Sequence, residues 1–358
     1  MNRTLKLLTF TGLLAATAAQ AQVNLYITGS TAFRPNAYLA IRTLYGSTLT
    51  SQNPPDPAGG KNQVTWTGQM PAVFGNQQVT VFTSWSGSIS GIQALNQNSQ
   101  VQFLASANPG DTNFVNVQAD LAFSDVFQSA SPYLTPALDD AKVAVQPFAY
   151  VKSLATPSSV TNVTIQQMQA LLANGSMPLS YWSGNTNDDN TPVYLVGRDS
   201  GSGTRQTAER DALFVGQTLL YATTNGCDWV IIPGFTSTSY VAATLNSSCG
   251  AAIGYVGIAD AATIANGANI LAYNGYLPFV GPIVNPDWTP VREGLYSFWG
   301  YEHLFQRAGA PANIGSFRAA LLAAIDAGIA TSTTHSVIQV STMRVSRNAD
   351  GGPITPNF

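Results

Sequence analysis

Apolar and polar positions along the chain fall into a recurring unit: a short apolar run, a turn of small polar residues, then a stretch with helical spacing. Residues 25–27 form an apolar strand that runs into Thr28-Gly29-Ser30-Thr31-Ala32-Phe33-Arg34-Pro35, and residues 36–45 carry helical periodicity. Residues 79–83 alternate β-branched and aromatic side chains, as a strand does, and lead into Ser86-Gly87-Ser88-Ile89-Ser90-Gly91 and a helix start at residues 92–95. A strand over residues 119–125 ends on Asp125. Residues 193–196 give another buried strand, followed by Gly197-Arg198-Asp199-Ser200-Gly201-Ser202-Gly203-Thr204-Arg205 and by helical spacing over residues 204–221. The pattern further predicts an amphipathic helix over 164–173 ended by Asn174-Gly175, a buried strand within 250–257, and a helix over 314–329. Residues 142–150, extended and apolar around Pro147, suit a strand that crosses between domains. Residues 46–78 and 96–118 are rich in polar residues and read as surface excursions, the first holding a hairpin, and residues 347–358 read as a Gly/Pro tail.

Repeated strand, turn and helix units predict an open α/β sheet, whose ligands sit at the carboxyl ends of strands. Here those ends come from both halves of the chain, so a cleft between two α/β domains is expected. The first domain is assigned residues 22–145 with 297–358, the second residues 146–296, with a hinge near Val145. Residues 1–21 read as a cleaved secretory signal: a basic start at Arg3 and Lys6, a short apolar core, and Ala19-Gln20-Ala21 at the cleavage point. No cysteine stands at that point, so a periplasmic protein without a lipid anchor is expected.

Charge narrows the partners. Only 9% of the 358 residues are Asp, Glu, Lys or Arg, and the net charge is -3, which argues against binding nucleic acid or an anionic membrane. The two cysteines, Cys227 and Cys249, are expected to form one disulfide in an oxidising compartment, closing a loop of about twenty residues worth roughly 3 kcal/mol. His303 and His335 are too isolated to suggest a metal centre, and no cofactor is expected.

The glycine-rich turn at Arg198 to Thr204 carries the chemistry. Backbone N–H groups at a helix start converge on one spot, the helix dipole adds partial positive charge, and Arg198 offers a planar fork of donors; together they suit an anion. The stretch lacks the Lys-Ser/Thr of a Walker A loop and the spacing of a dinucleotide fingerprint. Catalysis finds little support: Gly87-Ser88-Ile89-Ser90-Gly91 has Ile89 where a nucleophile elbow needs serine, and no His and Asp cluster marks a metal-dependent phosphatase.

These stretches, in this order, resemble the phosphate-binding protein of phosphate ABC importers, a type II periplasmic binding protein. The matching segments are residues 27–35, 87–93, 121–125, 163–175 with Trp182, 198–209 and 252–256, and the most specific is Gly-Ser-Gly-Thr-Arg after an Arg-x-x. The resemblance implies two α/β domains closing on inorganic phosphate, delivery to a permease and ATPase complex, and a monomer without catalytic residues. It implies ligand contacts from Thr31, Ala32 and Phe33, from Ser88, from Asp125, and from Arg198, Ser202, Gly203 and Thr204. Two departures stand out: Ala32 replaces the hydroxyl residue usual before Phe33, and Ser200 stands where an Asp is frequent, leaving Asp199 or solvent to balance Arg198. Asp125 would set specificity, because a carboxylate facing an anion needs a ligand proton to accept, which phosphate carries near neutral pH and sulfate does not. A scavenging or sensing protein of the same fold, or one taking another tetrahedral oxyanion, is the alternative expectation.

Overall fold

The computed structural model describes residues 22–55, 61–331 and 336–357. The expected signal over residues 1–21, and His335, lie outside the described residues.

One eleven-stranded sheet runs through the chain. In its first half, Val23–Gly29 lies parallel to both Gln78–Ser84 and Leu121–Ser124. In its second half, Pro192–Val196 and Ala252–Gly257 are parallel neighbours, with Ser176–Pro178 antiparallel at the edge. Two longer strands join the halves. Lys142–Lys152 and Trp299–Arg307 pair with each other, from Trp299 opposite Pro147 to His303 opposite Lys142. Beyond that shared stretch, Lys142–Lys152 pairs with Ala252–Gly257, while Trp299–Arg307 pairs with Leu121–Ser124. The crossing expected near Val145 is therefore a ribbon of two strands, buried along almost its whole length.

The apolar core is divided accordingly. Phe33, Trp66, Phe123, Leu304, Phe317 and neighbours form one cluster, with a smaller one around Ile92 and Phe103 on the sheet's other face. A second large cluster gathers Tyr150, Leu195, Val241, Tyr255 and Phe298. Ile338, Met343 and Val345 belong to this second cluster, although the sequence reading places residues 297–358 with the first domain. The tail folds back instead because Arg347 donates to the carbonyls of Trp299 (3.0 Å) and Ser297 (2.7 Å) and stacks 4.0 Å from the Trp299 ring centroid.

Two other expectations are corrected. The helix expected over residues 204–221 ends at Asp211, since Leu213 takes a left-handed φ of 53° that breaks the hydrogen-bond ladder. Leu220–Thr223 instead pairs with Trp229–Ile232, its burial alternating with period two. The stretch read as a surface excursion over 46–78 does contain a hairpin, Leu49–Asn53 with Gln63–Gln69, but that hairpin extends the main sheet by pairing with Gln78–Ser84. Val64 and Trp66, fully buried, anchor it there. Cys227 and Cys249 are joined, their Cα atoms 5.2 Å apart.

Candidate functional site

The carboxyl ends of Val23–Gly29, Leu121–Ser124 and Pro192–Val196 carry the residues that matter, and each is followed by a turn into polar side chains. In the first turn the Ser30 N–H donates to Phe123 O (2.9 Å), and the Ser30 hydroxyl accepts from Phe33 N–H (3.3 Å). That geometry brings Thr31 into the cleft and sends Phe33 into the core, 5.3 Å from the Phe123 ring centroid. Ala32 is buried against the far half: a Cβ on Gly257 would sit 3.5 Å from the Ala32 Cβ.

Gly87, at φ 112°, ends the approach to helix Ser88–Asn96, and a Cβ there would lie 2.5 Å from the Gly201 carbonyl of the other half. Ser88 both donates to an Asp125 carboxylate oxygen and accepts the Asp125 N–H (3.2 Å). Asp125 is buried, and its other oxygen accepts from the Thr204 hydroxyl at 3.2 Å. Burial pushes the Asp125 carboxyl up, opposed by the Ser88 hydrogen bond and the Arg198 charge.

From the second half, Arg198 is fully buried and spends its donors in three directions. Nε reaches Phe235 O (2.9 Å), Nη2 reaches Thr236 O (3.0 Å), and Nη1 crosses the cleft to Thr31 Oγ1 (3.1 Å). Burial lowers its pKa, while Asp199 and then Asp125 favour the charged form. Asp199 thus supplies the balancing charge without touching the guanidinium; its Oδ1 accepts the Gly201 N–H (3.1 Å). Ser202 caps helix Gly203–Asp211, accepting from Arg205 N–H at 3.3 Å. Arg205 braces this turn rather than the facing half, paired with Glu209 at 2.7 Å and donating to Arg198 O at 3.3 Å. At Gly203 a Cβ would stand 1.7 Å from Asp125 Oδ1, so no larger residue fits between the helix start and the carboxylate.

The halves thus meet along polar contacts: Arg198 with Thr31, Thr204 with Asp125, and Ile89 N–H with Gly201 O (3.0 Å). Of the sequence-singled residues, Thr31, Ser88, Asp125, Arg198, Gly203 and Thr204 converge; Ser202 caps the adjoining helix, Ala32 seals the rear, and the Phe33 side chain turns away. A cleft mouth of about 500 Å³ opens beside this cluster, lined by Ser90, Gln93, Tyr133, Asp199 and Gln206 among others. A larger groove of about 800 Å³ lies beside Lys152, but Lys152 Nζ is already spent on the carbonyls of Val160 (2.6 Å) and Pro157 (3.0 Å). The smaller cleft is lined by Ser90 from the first half and by Asp199 and Ser200 from the second.

No family model and no curated protein sequence matches this chain. Solved structures do. A phosphate ABC transporter substrate-binding protein from Clostridium perfringens, solved with bound phosphate, superposes with a TM-score of 0.55 at 14% identity, covering 88% of this chain and 99% of its own. An ABC-type phosphate transport receptor from Vibrio cholerae gives 0.52 at 16% identity, covering 88% and 99%. The fold is that of the type II periplasmic phosphate-binding proteins.

One residue escaped the sequence reading. Glu302, on the crossing strand Trp299–Arg307, is fully buried beneath the first turn, and burial holds its carboxyl well above the usual range, with Asp125 pushing it further. Its signal was an acidic residue in the apolar run of residues 298–305, in a chain with few charges.

Proposed function

We propose that this protein is a solute-binding protein that takes inorganic phosphate into the cleft between its two halves and hands it to an ABC importer in the periplasm, acting as a monomer. The observation that carries the reading is Asp125, a buried carboxylate set against a buried arginine and a helix N-terminus. Arg198, the Ser88 and Thr204 hydroxyls and the start of helix Gly203–Asp211 supply donors for a tetrahedral oxyanion. Asp125 supplies an acceptor, which only a protonated oxyanion satisfies, so hydrogen phosphate fits and sulfate leaves two like charges opposed. Thr31, held by Arg198, takes the place of the hydroxyl missing at Ala32. Binding involves no covalent step: the halves part about the crossing ribbon, admit the anion between Asp125 and Gly203, and close.

Calorimetry of the purified mature chain, freed of ligand by partial unfolding and refolding, tests this directly. Phosphate should bind and sulfate should not; equal affinities would remove the role given to Asp125, and absence of any oxyanion binding would end the proposal.

A further inference from the structure

Glu302 lies on the crossing strand beside Asp125, buried behind the residues that meet between the two halves. It is fully buried, and among the described residues neither carboxyl oxygen has a regular hydrogen-bond partner. The Ser30 hydroxyl, which accepts the Phe33 N–H, is the one donor near enough to oppose the upward shift of the Glu302 carboxyl, and it makes no regular hydrogen bond to it. The sheet explains the placement. His303 stands opposite Ser124, so the next antiparallel step brings Glu302 alongside Asp125 at the carboxyl end of Leu121–Ser124. Gly300, two residues earlier on the same strand, presses against the Asp125 backbone, where a Cβ would be 2.6 Å from its carbonyl oxygen. A register shift in the pairing with Lys142–Lys152 falls between Glu302 and His303, the kind of irregularity that re-aims a side chain beside a site.

The surrounding charges do not pair with Glu302. Asp125 faces it from the neighbouring strand end, with Arg198 beyond, committed to Thr31, Phe235 and Thr236. Asp350, on the tail, feels His303 and Asp125. Arg34, on the helix after the first turn, bonds Asn62 and has Asp260 as its acidic neighbour. Lys142 lies 4.0 Å over the Tyr301 ring, and His303 bonds Asp140 at 2.8 Å. A dry carboxyl without a cation is far cheaper to keep neutral than ionised, and neutral it carries an O–H donor.

We propose that Glu302 is a further ligand-binding residue of this site, a neutral carboxylic acid that donates its proton to a phosphate oxygen while the ionised Asp125 accepts the proton the phosphate carries. The inference rests on the phosphate reading and deepens it. One carboxyl accepts and its neighbour donates, so the site holds a single acceptor among many donors. That count matches a phosphate with one proton and disfavours one with two, whose second proton would face Arg198 or an occupied hydroxyl.

The test is calorimetric titration of the mature chain with inorganic phosphate between about pH 6 and pH 9, for the unsubstituted protein, Glu302→Gln and Glu302→Leu. Glu302→Gln keeps a neutral donor and should bind within about threefold of the unsubstituted protein. Glu302→Leu removes the donor and should lose about tenfold in affinity, while its Tm holds or rises because an unsatisfied polar group has gone. Infrared difference spectra on adding phosphate should show a protonated carboxyl band shifting in the unsubstituted protein and absent from Glu302→Gln, a readout that does not depend on how Glu302→Leu folds. Unchanged affinity in Glu302→Leu, or no shifted carboxyl band, overturns the role of Glu302 while leaving phosphate binding intact. Failure of the unsubstituted protein to bind phosphate overturns the proposed function and this inference together.

Discussion

The two walls of the cleft are built in opposite ways. The second-half wall is one continuous turn, Arg198 to Thr204, in which the guanidinium, the cap and the helix start lie within seven residues. The first-half wall is collected from Thr31, Ser88 and Asp125, each at the end of a different strand or the start of a different helix, with Glu302 beneath them on a fourth segment. A local wall is set by turn chemistry, whereas an assembled one depends on the sheet register that brings its pieces together. Damage should therefore be severe and direct in the first case and subtler in the second.

Arg198→Ala should show this most strongly. It removes a buried cation with bonds to Phe235, Thr236 and Thr31, leaving Asp125 without its nearest compensating charge across the cleft, and should cost about 3 kcal/mol of phosphate binding, more than a hundredfold by calorimetry. Wild-type affinity would show that the continuous wall is not the anion cradle. Gly203→Ala comes next: its Cβ would collide with Asp125, keeping the walls apart, and about 2 kcal/mol of affinity should vanish with the circular dichroism spectrum unchanged. Asp125→Asn probes the assembled wall. The amide can donate where the carboxylate repelled, so the preference for phosphate over sulfate should narrow by about tenfold, read from competition calorimetry; a preserved preference would move specificity elsewhere.

A last effect, on stability and not on binding, is expected behind the walls. Asp350 accepts Phe127 N–H (2.9 Å) from the first half, while Gly351 lies against the Arg210 backbone of the second. Burial lifts the Asp350 carboxyl to about 6. The folded protein therefore holds a proton that the unfolded chain, with the ordinary carboxyl value of 3.8, releases earlier. Its contribution to stability is fully present below about pH 4 and is lost as pH rises through about 6, an effect of about 1–3 kcal/mol. Urea unfolding across that window should show a flatter profile for Asp350→Asn than for the unsubstituted protein; identical slopes would remove Asp350 from the linkage.

The same contrast explains what was legible in the sequence. Strand, turn and helix order, and the cradle at Arg198 to Thr204, are short-range patterns and could be read from neighbouring residues. By its own pattern Asp125 was only a charge closing an apolar strand; the family resemblance grouped it with Ser88 and Thr204, and the fold made them hydrogen-bond partners. Glu302 was overlooked because no strand was assigned over residues 299–307; only the pairing of His303 with Ser124 puts it beside Asp125. The helix end at Asp211 was misjudged because Leu213 gives no sequence hint of its left-handed turn. The tail's docking hung on Arg347, whose buried carbonyl partners lie some fifty residues upstream.

The paired crossing strands have a mechanical meaning. A ribbon of two hydrogen-bonded strands twists and bends readily, yet it cannot slide, because sliding would break the ladder from Trp299 opposite Pro147 to His303 opposite Lys142. If the halves close on an anion as proposed, they swing without shifting sideways, every closure brings the rims to the same alignment, and little orientational freedom is left to lose.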